Sequence, residues 1–166
     1  MKNKLPIIIV LAGVGLAAIL SWPWGPSEPG KNQSAAILEA TTISADHDFY
    51  DFGTISMAGG NVSHTFEIGN NGAGEVEINK VYTSCMCTAA SLVFDGYRKG
   101  PFGMPGHGFA PRLGEKVKPG QTIKVEVVFD PTAHGPAGIG PVNRAVYIEQ
   151  NGKLPLELKF TALVTP

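Results

Sequence analysis

Cysteine is scarce in this 166-residue chain: two residues, too few for the disulfide-dense framework of a small secreted scaffold. Charge is scarce as well. Only 16% of the residues are Asp, Glu, Lys or Arg, and the formal net charge of −1 leaves no electrostatic footprint for nucleic acid, which requires a strongly basic domain or face. No Gly-x-Ser-x-Gly elbow, Gly-Lys-Ser/Thr phosphate loop or dinucleotide fingerprint occurs. After residue 46 no stretch carries the 3.6-residue apolar period of an amphipathic helix. Glycine and proline, in contrast, are abundant. With 21 glycines and 13 prolines they make up about one residue in five, against a usual ~12%, which argues for turns and irregular loops and against a helical bundle.

The long hydrophobic run stands at the start. Lys2 and Lys4 precede Leu5–Trp24, which holds 20 residues without an ionisable side chain. As a helix rising ~1.5 Å per residue this run reaches ~30 Å, one hydrocarbon thickness. Pro6 falls in the first turn, where its missing N–H costs nothing. Trp22 and Trp24 sit where an aromatic belt marks the far interface, and the two lysines favour a cytoplasmic N-terminus. The alternative is a cleaved signal peptide, but the run ends Ala-Ile-Leu-Ser-Trp-Pro-Trp, without a small-x-small cleavage site. Residues 1–24 are therefore read as a single-pass signal-anchor helix, 25–45 as a linker, and 46–166 as an extracytoplasmic domain.

Strand signals dominate that domain. Val62, His64, Phe66 and Ile68 alternate with Ser63, Thr65 and Glu67; Ile123, Val125, Val127 and Phe129 do so with Lys124, Glu126 and Val128. Further runs cover 75–78, 142–150 and 156–164, and Asn151-Gly152 is a type I′ hairpin signal between the last two. Six or seven short strands in about 120 residues, punctuated by Gly, Pro and Asn, predict an all-β, immunoglobulin-like β-sandwich of about seven strands.

Several short motifs, in order, carry a resemblance: Asp51-Phe52-Gly53-Thr54-Ile55, then His64-Thr65-Phe66-Glu67-Ile68-Gly69-Asn70-Asn71-Gly72, then Ser84-Cys85-Met86-Cys87-Thr88, with Pro119-Gly120 and Asp130-Pro131 flanking a late strand. Over about residues 48–164 the chain resembles a bacterial family of exported immunoglobulin-like domains of unknown function, related to the Hydin-type domains. The resemblance implies a sandwich fold and an exported, often membrane-attached domain, and no enzymatic activity. The family usually has Cys-Gly-Cys, where this chain has Met86 between the cysteines.

The chemistry-bearing residues are few. In an extended strand Cys85 and Cys87 leave the same face, and two rises of ~3.3 Å put their Cα atoms ~6.6 Å apart, at the upper edge of disulfide reach. A local disulfide thus requires a bend. Two thiolates on one face suit a soft metal such as Cu(I), or Zn(II) with further ligands. The alternatives are two thiols packed as small apolar groups, or a strained disulfide. Residues 96–120, rich in Gly and Pro, read as one long loop without secondary structure, the kind that is usually functional or disordered. It offers Met104 and His107, and the loop from Asp130 to Pro141 offers His134. The blue-copper spacing of Cys, His and Met on one loop is not reproduced. A Cys–His nucleophile would pair Cys87 with a loop histidine and needs an orienting group that does not stand out. His64, on the apolar face of its strand, reads as a hydrogen-bonded residue at the core edge. Arg98, Lys99, Arg112, Lys116 and Lys118 read as a locally positive surface.

The sequence thus leads to a non-catalytic, membrane-anchored, extracytoplasmic binding domain. It takes a soft metal, copper, through Cys85, Cys87, Met104, His107 and His134. The alternative is a structural domain that scaffolds another cell-envelope protein.

Overall fold

A period-two apolar pattern places one face of a strand against a second layer, and several of the ten strands among the described residues show it. The computed structural model describes residues 43–151 and 153–166. The expected N-terminal helix, and the linker up to residue 42, lie outside the described residues. Among those described, no helix is long and apolar enough to cross a membrane.

The strands are β1 (Ile43–Ala45), β2 (Phe49–Ser56), β3 (Val62–Asn70), β4 (Val76–Thr83), β5 (Thr88–Phe94), β6 (Tyr97–Phe102), β7 (Glu115–Val117), β8 (Thr122–Phe129), β9 (Gly140–Gln150) and β10 (Leu156–Thr165). They form two five-stranded sheets, ordered β1-β3-β8-β5-β6 and β2-β10-β9-β4-β7. All pairings are antiparallel except β2 with β10. Pairing of β3, β8 and β5 in one sheet and of β10, β9 and β4 in the other is the strand arrangement of an immunoglobulin-like sandwich. The first strand is split, β1 joining one sheet and β2 the other.

Side chains of both inner faces meet in one core that includes Phe66, Leu92, Phe102, Ile148, Leu158 and Phe160. Phe160 of one sheet lies 5.4 Å, centroid to centroid, from Phe129 of the other, and edge-on to Phe52 at 5.3 Å. Asn70 is fully buried at the inner end of β3, yet every polar atom of its amide has a partner. Its Nδ2 donates to Gly74 O (2.8 Å) and Val117 O (2.9 Å), and its Oδ1 accepts from Gly72 N (2.9 Å).

Five strands, β1, β2, β5, β6 and β7, go beyond the alternating runs of the sequence. Strand β5 hides because it is apolar or small on both faces: Ala90, Ser91 and Leu92 are consecutive and all buried. Strands β1 and β7 are three-residue edge segments, too short to show a period. Residues 96–120, expected as a continuous loop, contain β6 and β7. Strand β6 carries Gly100 and Pro101 in its middle, which is tolerated because it is an edge strand. Gly100 has φ +117°, and a Cβ there would lie 2.9 Å from Ala90 O across the irregular β5–β6 pairing. The turn expected at Asn151-Gly152 falls on Gly152, outside the described residues; β9 and β10 are antiparallel on either side of it.

Candidate metal centre

Strand β4 ends in one sheet and β5 begins in the other, so residues 84–87 must cross between layers. The connection from β8 to β9, residues 130–139, crosses in the opposite sense. The two crossings touch: Asp130 N donates to Cys87 O at 2.8 Å, and Thr88 pairs with Phe129. This juxtaposition brings Cys85 and Cys87 to His134, 49 positions on from Cys85.

Each crossing is held by its own polar residues. Thr83 Oγ1 donates to Cys85 O (2.9 Å) and lies 3.1 Å from Thr88 O, while Thr88 N donates to Cys85 O (3.2 Å). Ser84 is clamped to β9, its N–H donating to Ala145 O and its Oγ accepting from Ala145 N, both at 2.9 Å. The cysteines thus sit on a tight turn, not in the extended strand expected from their spacing, and the bend closes the gap between the sulfurs. In the second crossing Asp130 Oδ1 accepts from Thr132 N (2.8 Å) and Thr132 Oγ1 (2.7 Å), which fixes the turn leading into His134. A 3-10 turn at Gly135–Gly138 follows, with His134 at its N-cap position but making no side-chain cap bond. Gly138 lets this turn close, since a Cβ there would meet His134 Cβ at 3.2 Å.

The imidazole is used elsewhere. His134 Nε2 lies 3.1 Å from Cys85 Sγ, and Cys87 Sγ, a free thiol, lies 2.6 Å from Cys85 Sγ. Cys87 N also points at Cys85 Sγ (3.5 Å), and Arg144 Nε donates to Cys87 Sγ at 3.3 Å. The three candidate ligand atoms, two sulfurs and one nitrogen, all lie within 4.8 Å of one another. Cys85 is partly buried and Cys87 is 3% exposed.

These contacts set the two thiols apart. Burial pushes Cys85 up, but the hydrogen bonds from the Cys87 side chain and backbone and from His134, with the charge of Arg144, outweigh it and bring Cys85 down to about 7. Burial, and the hydrogen bond to Cys85, push the Cys87 thiol above its ordinary value. Arg144 is pulled down by burial and held up more strongly by its bond to Cys87, so it stays a cation.

Of the other candidate donors, His107 is not one of this group. Met104 and His107 occupy a turn in which Gly103 N donates to Phe109 O (2.8 Å) and Gly108 N to Met104 O (2.7 Å). The turn closes because both ends are glycine: a Cβ on Gly108 would sit 3.0 Å from Gly103 Cα. Thr83 N donates to Gly103 O (3.2 Å), which ties the turn to the strand that leads into Cys85. His107 is exposed and does not belong to the three-residue ligand group.

His64 differs from its sequence reading. Its ring stacks on Tyr50 at 3.6 Å, but its Nε2 is buried without a hydrogen-bond partner. Burial, then the nearby His47, pull its pKa below the ordinary value. The positive bias expected near residues 98–118 is largely neutralised, with Arg98 on Glu126 (2.8 Å), Lys99 on Glu115 (3.1 Å) and Lys116 on Glu75 (2.9 Å). Arg144 went unnoticed in the sequence although a signal was there. It shares the inward parity of β9 with Val146 and Ile148, and a cation on an apolar face needs a partner.

Residues 43–103 match the model of a family described as a protein of unknown function (DUF1573). No curated protein matches the chain in sequence. Among solved structures, the chain is similar to a protein of unknown function from Porphyromonas gingivalis W83, with 18% identity and a TM-score of 0.54 over 74% of this chain and 46% of that one. It is also similar to a family 123 glycoside hydrolase from Clostridium perfringens (7% identity, TM-score 0.53, 75% of this chain and 27% of that one). A third likeness is to the secreted serine protease VesC from Vibrio cholerae (13% identity, TM-score 0.50, 81% of this chain and 26% of that one). The chain spans less than half the length of each, and at these identities the likeness is one of fold.

Proposed function

We propose that the chain is an extracytoplasmic, membrane-tethered binding domain that captures Cu(I) through Cys85, Cys87 and His134. The observation that carries this reading is the convergence of two sulfurs and an imidazole nitrogen within 4.8 Å on two crossings far apart in sequence. Thiolate and imidazole form a soft donor set, which Cu(I) prefers. A structural Zn(II) site is closed by four ligands, whereas Cu(I) is satisfied by three. Charge agrees: Cu(I) between two thiolates leaves one negative charge, and Arg144, 3.3 Å from Cys87 Sγ, offsets it. With Cys85 down at about 7, its proton is the more easily displaced on metal entry, while the proton of Cys87, held above the ordinary thiol value, must leave as well. The leading apolar segment, Leu5–Trp24, would hold the domain at the outer membrane–water boundary.

The test is metal analysis of the full chain purified anaerobically from copper-supplemented cells. Stoichiometric copper in the wild type and none in Cys85→Ser/Cys87→Ser is expected, and equal copper in both would overturn the reading. A scaffolding role is the second reading. It is favoured by Phe109 and Met86, 65% and 53% exposed, beside the site loops. If it holds, the double cysteine variant still recovers the same envelope protein from solubilised membranes.

A further inference from the structure

Cys85 and Cys87 differ in access. Cys85 is partly buried; Cys87 is 3% exposed, with its sulfur 2.6 Å from that of Cys85. The less buried sulfur beside the more shielded one, already in contact, is the arrangement of an attacking and a resolving cysteine. We propose that, in the metal-free domain, this pair reduces the disulfide bond of another molecule by thiol–disulfide exchange. The proposal does not depend on metal uptake.

The exchange has two steps. Cys85 Sγ attacks one sulfur of R–S–S–R, so that a Cys85–S bond forms, the S–S bond breaks and one thiolate leaves with the electron pair. The proton of Cys85 passes by way of His134 Nε2, 3.1 Å away, to that leaving thiolate. Cys87 Sγ then attacks Cys85 Sγ in the mixed disulfide and expels the second thiolate, which takes the Cys87 proton. The two cysteine thiols are oxidised to one disulfide, and R–S–S–R is reduced to two R–SH. Arg144 Nε, 3.3 Å from Cys87 Sγ, is a positioning residue for the second step, since it favours negative charge on the resolving sulfur. The tight turn closed by Thr88 N on Cys85 O holds the two sulfurs together, so the second step requires no rearrangement of the strands. Met86, 53% exposed between the cysteines, offers an apolar contact to whatever carries the disulfide.

The experiment incubates the reduced, chelator-treated full chain anaerobically with glutathione disulfide, and in parallel with insulin as a protein disulfide, and reads intact masses and released thiols over time. The wild type is expected to become lighter by two hydrogens, retain no glutathione and release two thiols per chain. Cys87→Ser should stop at one retained glutathione and one released thiol. Cys85→Ser should react about tenfold or more slowly, because only the shielded sulfur remains. Arg144→Gln should prolong the mixed disulfide more than it slows its formation, because Arg144 bonds the Cys87 sulfur directly and acts on Cys85 only through its charge. Whichever substrate reacts faster identifies the source of the disulfide. Accumulation of glutathione adducts on the wild type, equal rates for Cys85→Ser and wild type, or no reaction with either substrate would overturn the proposal. None of these outcomes bears on copper content, so failure here and failure of the metal reading are separate.

Discussion

Replacing His134 with alanine isolates the imidazole's hold on Cys85. The Cys85 sulfur receives contacts from Cys87 Sγ, Cys87 N and His134 Nε2, and together with Arg144 these bring its pKa to about 7 against burial. At pH 7 about half of the Cys85 population is then thiolate, whereas an ordinary thiol near ~8.5 would be ~3% ionised. Losing every stabilising contact would thus slow alkylation at pH 7 by at least about fifteenfold, since burial would still hold the thiol up. His134 is one contact of several and is solvent-exposed, which screens it, so its removal should account for about a two- to fivefold loss. The assay is iodoacetamide labelling followed by intact mass, where the singly labelled species reports Cys85 because Cys87 is shielded. Wild type and His134→Ala should converge above about pH 10, where Cys85 is ionised in both proteins. An unchanged rate at pH 7, or a wild-type profile with its midpoint at the ordinary thiol value, would refute the reasoning.

Other outcomes follow from the core and from the histidine pair. Phe160→Ala removes a ring packed between Phe52 and Phe129 and should cost about 3–5 kcal/mol in urea unfolding. Asn70→Ala leaves Gly74 O, Val117 O and Gly72 N without their partner, with an expected loss of about 2–3 kcal/mol by the same measurement. Gly100→Ala forces a side chain into φ +117° and against Ala90 O, and should lower the melting temperature while leaving thiol reactivity unchanged. His64 takes up its proton at the ordinary 6.5 when unfolded but only at lower pH when folded, so its neutral form favours the fold. Stability should therefore be full above pH 6.5 and fall on acidification below it, and His64→Phe, which keeps the stacking on Tyr50, should flatten that fall.

The sandwich was legible wherever one face of a strand meets the core and the other meets water. Strands β3, β8 and β10 follow their alternation in detail, because Phe66, Val125 and Leu158 face the opposite sheet and Glu67, Lys124 and Lys159 do not. Strand β5 was illegible because consecutive buried residues carry no period, and β6 because Gly100 and Pro101 read as loop unless the strand is known to be an edge. Of the candidate ligands, spacing alone pairs Cys85 with Cys87. Their meeting with His134 depends on two inter-sheet crossings at the same end of the sandwich, a property of topology that no local motif encodes. The turn that bends the cysteines together rests on Thr83 and Ser84, ordinary residues whose hydrogen bonds become informative only once the strands are placed.

Copper K-edge X-ray absorption on the anaerobically loaded full chain tests the central claim most directly, because it reads the donor atoms themselves. Two sulfurs and one imidazole nitrogen around Cu(I) are expected, with the nitrogen contribution lost in His134→Ala and no bound copper left to read in Cys85→Ser/Cys87→Ser. A coordination shell without sulfur, or one unchanged in all three proteins, would contradict the account.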